Sequence, residues 1–589
     1  MYIAELKLWN FRKYGRNQDW DLVKPHLLVP FNEGLNVLIG ENDSGKTAIL
    51  DAIKLVLKTH AYEWIRVTEE DFFENSSKLR IELLLKGLKT GEAKNFTEWL
   101  GWEGESDDAK PILRLIYEVE RKSDRIQPAD VKAGMDEVGF PLNAEAREYL
   151  KSTYLKALRD ADNELVAKKN SRVAQILQGH DLFKEKEGQK HEFVGWFSEV
   201  NEKIKSWFEA PAAVEGERGN KEQIKDIVDG FLQKFIEETV NSSLQLSAPE
   251  IKAILEKISL GISESKNLGL GTMNRLYMAA ELLHLKKEWN GLKICLIEEL
   301  EAHLHPQAQM KVVEALLNEK EVQFILTTHS PNLASKVDIE KLIICKGSNV
   351  YPLRKEDTKL EPKNYSYLKR FLDVTKSNLF FAKGVIIVEG WAEEILIPAL
   401  AERIGYDLTK NEVSIVNVGS TAYLHFAKIY LRKDGMKMGV PVSVVTDLDV
   451  RPDESGNFES SKEEEKRTSI QNNFQDFNDT EIKLEIAKQW TLEWCLFKSN
   501  LSEQFKKSVS EVHSGTDEFK PNEHNEFKPD FQTKLIEKLS KRNGTSPLDK
   551  VRVANCFAEK IIENELTIDE NDEYIQYLVD AIKHACRKK

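Results

Sequence analysis

Short, nearly continuous apolar runs bounded by polar clusters recur along this chain, and their length suits buried parallel strands better than helices. Leu35 to Ile39, Leu292 to Ile297 and Val322 to Leu326 form one set, and Gly384 to Val388, Val413 to Val418 and Val440 to Thr446 form a second. Between them Ile49, Leu50, Ile53 and Leu57 recur at helical spacing, as do Leu276, Ala279, Ala280 and Leu283. This alternation of strand and helix predicts α/β architecture with parallel sheets. The opening Ile3 to Trp9 instead alternates, as a half-buried strand does. From about Asn143 to Leu244 the chain is rich in Lys, Glu, Leu and Ala, and predicts helices that include Glu145 to Asn163 and Gln223 to Val240. No heptad repeat is sustained there, so a short helical module is expected rather than a long coiled coil. Asp453 to Glu481 and Ser508 to Pro529 lack an apolar period and read as mobile surface.

A length of 589 residues exceeds one ordinary core. The patterns divide it into 1–140 and 246–370 as two parts of one α/β unit, 141–245 as a helical insertion that serves dimerisation or partner contact or else packs as a lid on that unit, 371–500 as a second α/β unit, and 501–589 as its helical continuation. With 41% apolar and 31% charged residues and no apolar stretch of spanning length, no membrane segment is expected. The N-terminus lacks a secretory profile, so a cytoplasmic location is expected. Five scattered cysteines give neither a disulfide framework nor paired metal spacing. A net charge of −14 excludes a surface coated everywhere by nucleic acid, yet leaves room for a local basic channel.

The first strand set carries nucleotide chemistry. Leu35 to Ile39 empties into Gly40-Glu41-Asn42-Asp43-Ser44-Gly45-Lys46-Thr47, a complete P-loop. Backbone N–H groups around Gly40, Asn42, Ser44 and Gly45 would wrap phosphates, Lys46 would meet the β and γ charges, and Thr47 would hold Mg2+. The second strand delivers Glu298, placed to hold the metal of ATP, and Glu299, placed to polarise the attacking water. The third delivers His329, placed to sense the γ-phosphate. Gly269 and Gly271 open a helix and allow close approach of backbone to phosphate.

The second set carries another chemistry. Glu389-Gly390 closes one strand, Glu393 follows in the first helical turn, and Asp447-Leu448-Asp449 closes another. Strand alternation would let Asp447 and Asp449 point the same way and chelate together. Oxygen-only donors at strand ends suit Mg2+ or Mn2+.

In order, P-loop, glycine signature, acidic strand and histidine resemble the ABC ATPases that include the SMC-like proteins, and Asn10-Phe11-Arg12 is similar to their first-strand motif, which implies Arg12 near the nucleotide. That likeness implies an ATP sandwich between two chains, a homodimer or higher homo-oligomer. Glu298 replaces the commoner Asp and Leu268 the usual signature serine, which implies slow or regulatory hydrolysis. The second set resembles the Toprim domain, with phosphodiester chemistry. The combination resembles the overcoming-lysogenisation-defect (OLD) nucleases over nearly the whole chain, including Tyr154-Leu155-Lys156-Ala157-Leu158-Arg159-Asp160 and Leu379-Phe380-Phe381-Ala382. That resemblance implies a Mg2+-dependent DNA endonuclease with ATPase activity, controlled by nucleotide and serving phage defence, alone or with a partner encoded nearby. It also implies that Glu493 completes a second metal site and that Lys550 assists at the scissile phosphate. Cys495 stands where relatives often carry Asp. The rival reading is a DNA-repair or structural SMC-like ATPase with a non-catalytic Toprim module; a topoisomerase or primase would need a DNA gate or zinc-type cysteine pairs that this chain lacks.

Overall fold

The computed structural model describes the chain except for residues 17–19, 61–64, 106–107, 123–124, 158–163, 186–188, 211–218, 236–241, 243–246, 264–268, 286–290, 479, 516, 525, 541–546, 564–565 and 588–589. Three sheets organise it. The first is antiparallel and begins with Tyr2–Trp9, paired with Leu27–Pro30 on one side and Lys78–Lys86 on the other. The second has six strands in the order Thr153–Leu155, Ile294–Ile297, Gln323–Thr328, Leu35–Ile39, Leu342–Lys346 and Asn349–Pro352. All its pairs are parallel except the last. The third is a four-stranded parallel sheet in the order Val413–Asn417, Gly384–Val388, Val442–Thr446 and Ile482–Ile486. The multidomain α/β expectation holds, with both anticipated strand sets in parallel sheets whose ends carry the candidate chemistry.

Thr153–Leu155 is among the strands that the periodicity hides. Glu145 to Asn163 is expected as a helix, but among the described residues of that stretch only those of Ala144–Glu148 are helical, and Thr153–Leu155 pairs in parallel with Ile294–Ile297. Long-range pairing wins because Leu155 is fully buried in the core of the second sheet and the Tyr154 hydroxyl finds a carboxylate partner. Residues 158–163 of that expected helix lie outside the described residues. A second correction concerns Asp453 to Glu481, where Ser460–Asn473 is a helix. Its one buried residue, Ile470, leaves no apolar stripe to read, and the stacked rings of Phe474 and Phe477 anchor its end. The helix Ser502–Val512 likewise enters the second segment read as mobile. Within the insertion, Glu192–Glu209 and Asn220–Phe235 pack together and leave Trp196, Trp207, Phe231 and Phe235 exposed.

The second and third sheets share one core. Phe324 and Leu326 of the second sheet join Leu379, Phe380, Val385 and Val442 in a single buried cluster. The Lys346 ammonium donates to the Ala382 carbonyl at 3.0 Å and the Tyr351 hydroxyl to that of Lys437 at 3.1 Å, so polar contacts also cross the junction. The C-terminal helices Lys550–Glu563 and Gln576–Cys586 pack against the helix Trp391–Arg403 and the third sheet. Among the described residues no helix is long and apolar enough to cross a membrane.

Candidate active sites

The P-loop follows its strand directly and opens the helix Lys46–Leu57. Gly45 has a φ of 97°, and a side chain there would run into the Tyr14 hydroxyl, so both conformation and space demand glycine. Lys46 is 5% exposed and donates to the carbonyls of Gly40 at 2.9 Å and Glu41 at 2.6 Å and to Ser44 Oγ at 3.1 Å. Burial pulls its pKa below the usual lysine range while neighbouring acids oppose that drop. Asn42 and Thr47 stand exposed at the rim.

The acids and the histidine meet at the adjacent strand ends. The Tyr154 hydroxyl donates to Glu298 Oε2 at 2.6 Å, which fixes the candidate metal-holding carboxylate. Glu299 has a φ of 42° and its N–H donates to Thr327 Oγ1 at 3.0 Å. Its Oε1 lies 4.0 Å from Nε2 of His329. Burial, and then the charge of Lys46, push the His329 pKa down, which favours a neutral imidazole at neutral pH. Glu301, which sequence reasoning passed over, accepts from Thr328 Oγ1 at 2.7 Å and from the His329 N–H at 2.5 Å, and so sets the position of the histidine.

Arg12 is held by Asp51 at 2.8 Å and Asp71 at 2.9 Å, while its neighbours Lys13 and Tyr14 make the contacts to the loop, at the carbonyls of Asp43 and Ser44. Gly269 precedes the helix Leu270–Leu285, and a Cβ on Gly271 would sit 2.8 Å from the His303 carbonyl. Asn267 and Leu268 of that motif lie outside the described residues.

At the third sheet, Glu389 follows its strand and accepts a hydrogen bond from the Thr446 hydroxyl. Gly390 caps the helix that carries Glu393 in its first turn. Glu393 is 8% exposed, and burial together with Glu493 pushes its carboxyl up to about 7. Asp447 accepts from the Leu492 N–H at 2.9 Å, and its pKa is raised well above the usual range by burial, Glu393 and Glu493. Glu493 is buried at the start of Leu492–Lys498, whose cap is Thr491. Its Oε2 lies 2.8 Å from Nζ of Lys550. Burial alone would lower the pKa of Lys550; Glu493, Asp447 and Glu393 raise it instead.

The strand alternation from which a shared direction of Asp447 and Asp449 is expected stops before both residues. The strand ends at Thr446, and Asp449 is exposed, with a φ of 57° and its N–H bonded to the Trp490 carbonyl at 2.8 Å. Asp447 interacts with Glu393, Glu493 and Lys550 and also with Glu389, on which Asp449 acts as well. Asn417, not anticipated, donates to Glu394 at 2.8 Å beside them. Cys495 is fully buried, its Sγ donates to the Gln489 carbonyl, and burial pushes its thiol up to about 12, so it supplies no substitute for an acid.

Among the described residues no three acid, imidazole or thiol groups form a ready-made metal cage. The donor chemistry nonetheless fits a hard divalent cation: oxygen ligands alone, mutually repelling in a buried setting, with Lys550 acting against that repulsion.

Comparison with known proteins agrees with this division. The family described as AAA ATPase domain (AAA_15) matches residues 1–89 and 101–334. The Overcoming lysogenization defect protein-like, TOPRIM domain matches residues 380–449. The chain is 22% identical to "Endonuclease GajA" of Bacillus cereus (strain HuB5-5), covering 98% of each chain. It is 23% identical to "OLD nuclease" of Thermus scotoductus, over 74% of this chain and 82% of that one. It is 27% identical to "Septu protein PtuA" of Bacillus mycoides, over 58% of this chain and 40% of that one.

Proposed function

Since the chain belongs to the AAA ATPase domain family and carries an OLD-like Toprim domain behind it, we propose that it is a divalent-metal-dependent DNA endonuclease under nucleotide control, acting in cytoplasmic phage defence. The observation that carries this reading is the convergence of Glu393, Asp447 and Glu493 on Lys550. Like charges buried together are costly unless a cation or proton answers them, and such perturbed groups cluster at functional sites.

Glu393, Asp447 and Glu493 would hold one Mg2+ or Mn2+ ion, and Glu389 with Asp449 would hold another from the outer side. Such ions, when bound, supply an activated water and charge stabilisation at the leaving oxygen. Lys550 offsets negative charge on the scissile phosphate. Glu389, its pKa raised mainly by burial, is suited to take a proton from water. In the ATPase, Lys46 and Thr47 would hold the β- and γ-phosphates and their Mg2+, Glu298 would hold that ion in place, and Glu299, with His329 beside it, would polarise water.

Two chains would meet through the exposed apolar faces of Glu192–Glu209 and Asn220–Phe235, so that Gly269 and Gly271 of one complete the ATP site of the other. A partner protein of a defence system is compatible with the likeness to the Septu protein. The test is conversion of supercoiled plasmid in Mg2+ or Mn2+, with and without ATP. The wild type should nick or linearise it, Asp447→Asn should lower the rate by at least about 100-fold, and Lys46→Ala should remove the response to ATP. Equal cleavage by wild type and Asp447→Asn would return the reading to an SMC-like ATPase with a non-catalytic Toprim module.

A further inference from the structure

The loops before three strands of the Toprim sheet face the P-loop across a cleft of about 590 Å³. Lys383 comes immediately before Gly384–Val388, Lys410 before Val413–Asn417, and Lys437 before Val442–Thr446. Lys346, at the end of a strand of the ATPase sheet, and Arg587, after the last helix, complete the wall. This is the N-terminal edge of the Toprim sheet. A five-residue strand, roughly 17 Å of chain, separates it from Glu389.

Three carboxylates answer these five cations. Glu41, within the P-loop itself, lies 3.8 Å from Lys346 and 4.0 Å from Lys383. Glu412 pairs with Lys383 at 2.6 Å and Glu481 with Arg587 at 2.8 Å. Lys410 and Lys437 are exposed and have no carboxylate partner among the described residues. The cleft therefore carries an excess of positive charge in a concavity of the size that encloses a small ligand. Flexible ammonium groups suit phosphate as point charges.

We propose that this cleft is a second anion site, distinct from the P-loop's own phosphate cradle and from the Toprim acids, and that it takes a small polyphosphate-bearing ligand of nucleotide size. The ligand competes with Glu41 for Lys346 and Lys383. Its binding therefore alters the ties between the P-loop and the segment that leads into the Glu389 strand, and by linkage the two sites feel one another. The concave shape and the distance from the catalytic acids favour a free polyphosphate over a nucleic-acid backbone.

Binding is read without any cleavage, so this inference and the nuclease reading fail separately. Inorganic tripolyphosphate is titrated calorimetrically at low salt into the full chain carrying Lys46→Ala, which disables the P-loop. One site per chain is expected. Adding Lys410→Glu and Lys437→Glu should weaken it at least tenfold, and the Gln pair at the same positions by less, with the melting temperature unchanged. A parallel arm follows a fluorescent single-stranded oligodeoxynucleotide by anisotropy. Absence of tripolyphosphate binding, affinity indifferent to both pairs of substitutions, or sensitivity confined to the oligonucleotide would each overturn the assignment.

Discussion

The ammonium of Lys550 lies 2.8 Å from the carboxylate of Glu493, across 57 residues of sequence, and Glu493 is only 3% exposed. Lys550 is the cation that acts on three buried acids at once, since Glu493, Asp447 and Glu393 all raise its pKa. Replacing it with Met should leave those acids dependent on metal. In chelator the melting temperature should fall below wild type, and added Mn2+ should recover more of it than in wild type. Because the lysine side chain is 44% exposed, solvent screening limits the loss to about 1–2 kcal/mol. Equal manganese responses in thermal melts of the two proteins would count against this role.

Glu393 predicts an unusual pH dependence. Burial and Glu493 push its carboxyl up to about 7, above the ordinary glutamate value, so the native state binds this proton more tightly than the unfolded chain. Stability in chelator should therefore fall as pH rises from about 4.5 to about 7, the reverse of an ion-paired carboxylate. Glu393→Gln should flatten that slope in urea titrations across the range and be more stable than wild type above pH 7. A wild-type slope retained by the variant would show that another group titrates.

Tyr154 fixes Glu298 through a 2.6 Å hydrogen bond. Tyr154→Phe should lower ATP turnover about tenfold, as loss of a group that orients a metal-holding carboxylate does, with little change in nucleotide affinity. Steady-state phosphate release and nucleotide titration separate the two effects. Unchanged turnover would make the hydroxyl a packing feature.

The insertion predicts assembly. Trp207 is 58% and Phe231 56% exposed on its two helices, more apolar surface than an isolated face would keep in water. Trp207→Glu with Phe231→Glu should halve the mass measured by light scattering. An unchanged mass would place the subunit contact elsewhere.

Much of this was legible in the sequence because strand ends announce themselves. The Leu35–Ile39 and Gly384–Val388 strands are fully buried runs that stop at Gly40 and Glu389, so the chemistry follows directly from the apolar pattern. Thr153–Leu155 was hidden, because a three-residue strand carries too little pattern to outweigh helical neighbours and is held by pairing with residues some 140 positions away. The different settings of Asp447 and Asp449 were equally hidden, since they depend on a left-handed backbone at Asp449 that no local spacing reports. Glu301 is one more acid in an acidic run until the fold brings Thr328 and the His329 amide to it. Lys550 and Glu493 came only from family likeness; as charges on helices they carry no signal of their own.

The most direct test of the central claim is manganese binding by the full chain, with the P-loop disabled by Lys46→Ala, followed by electron paramagnetic resonance at neutral pH. The account predicts bound Mn2+ that Asp447→Asn weakens by at least about tenfold, with Mg2+ competing at the same place. No manganese captured at saturating concentration, or capture indifferent to Asp447, would contradict it.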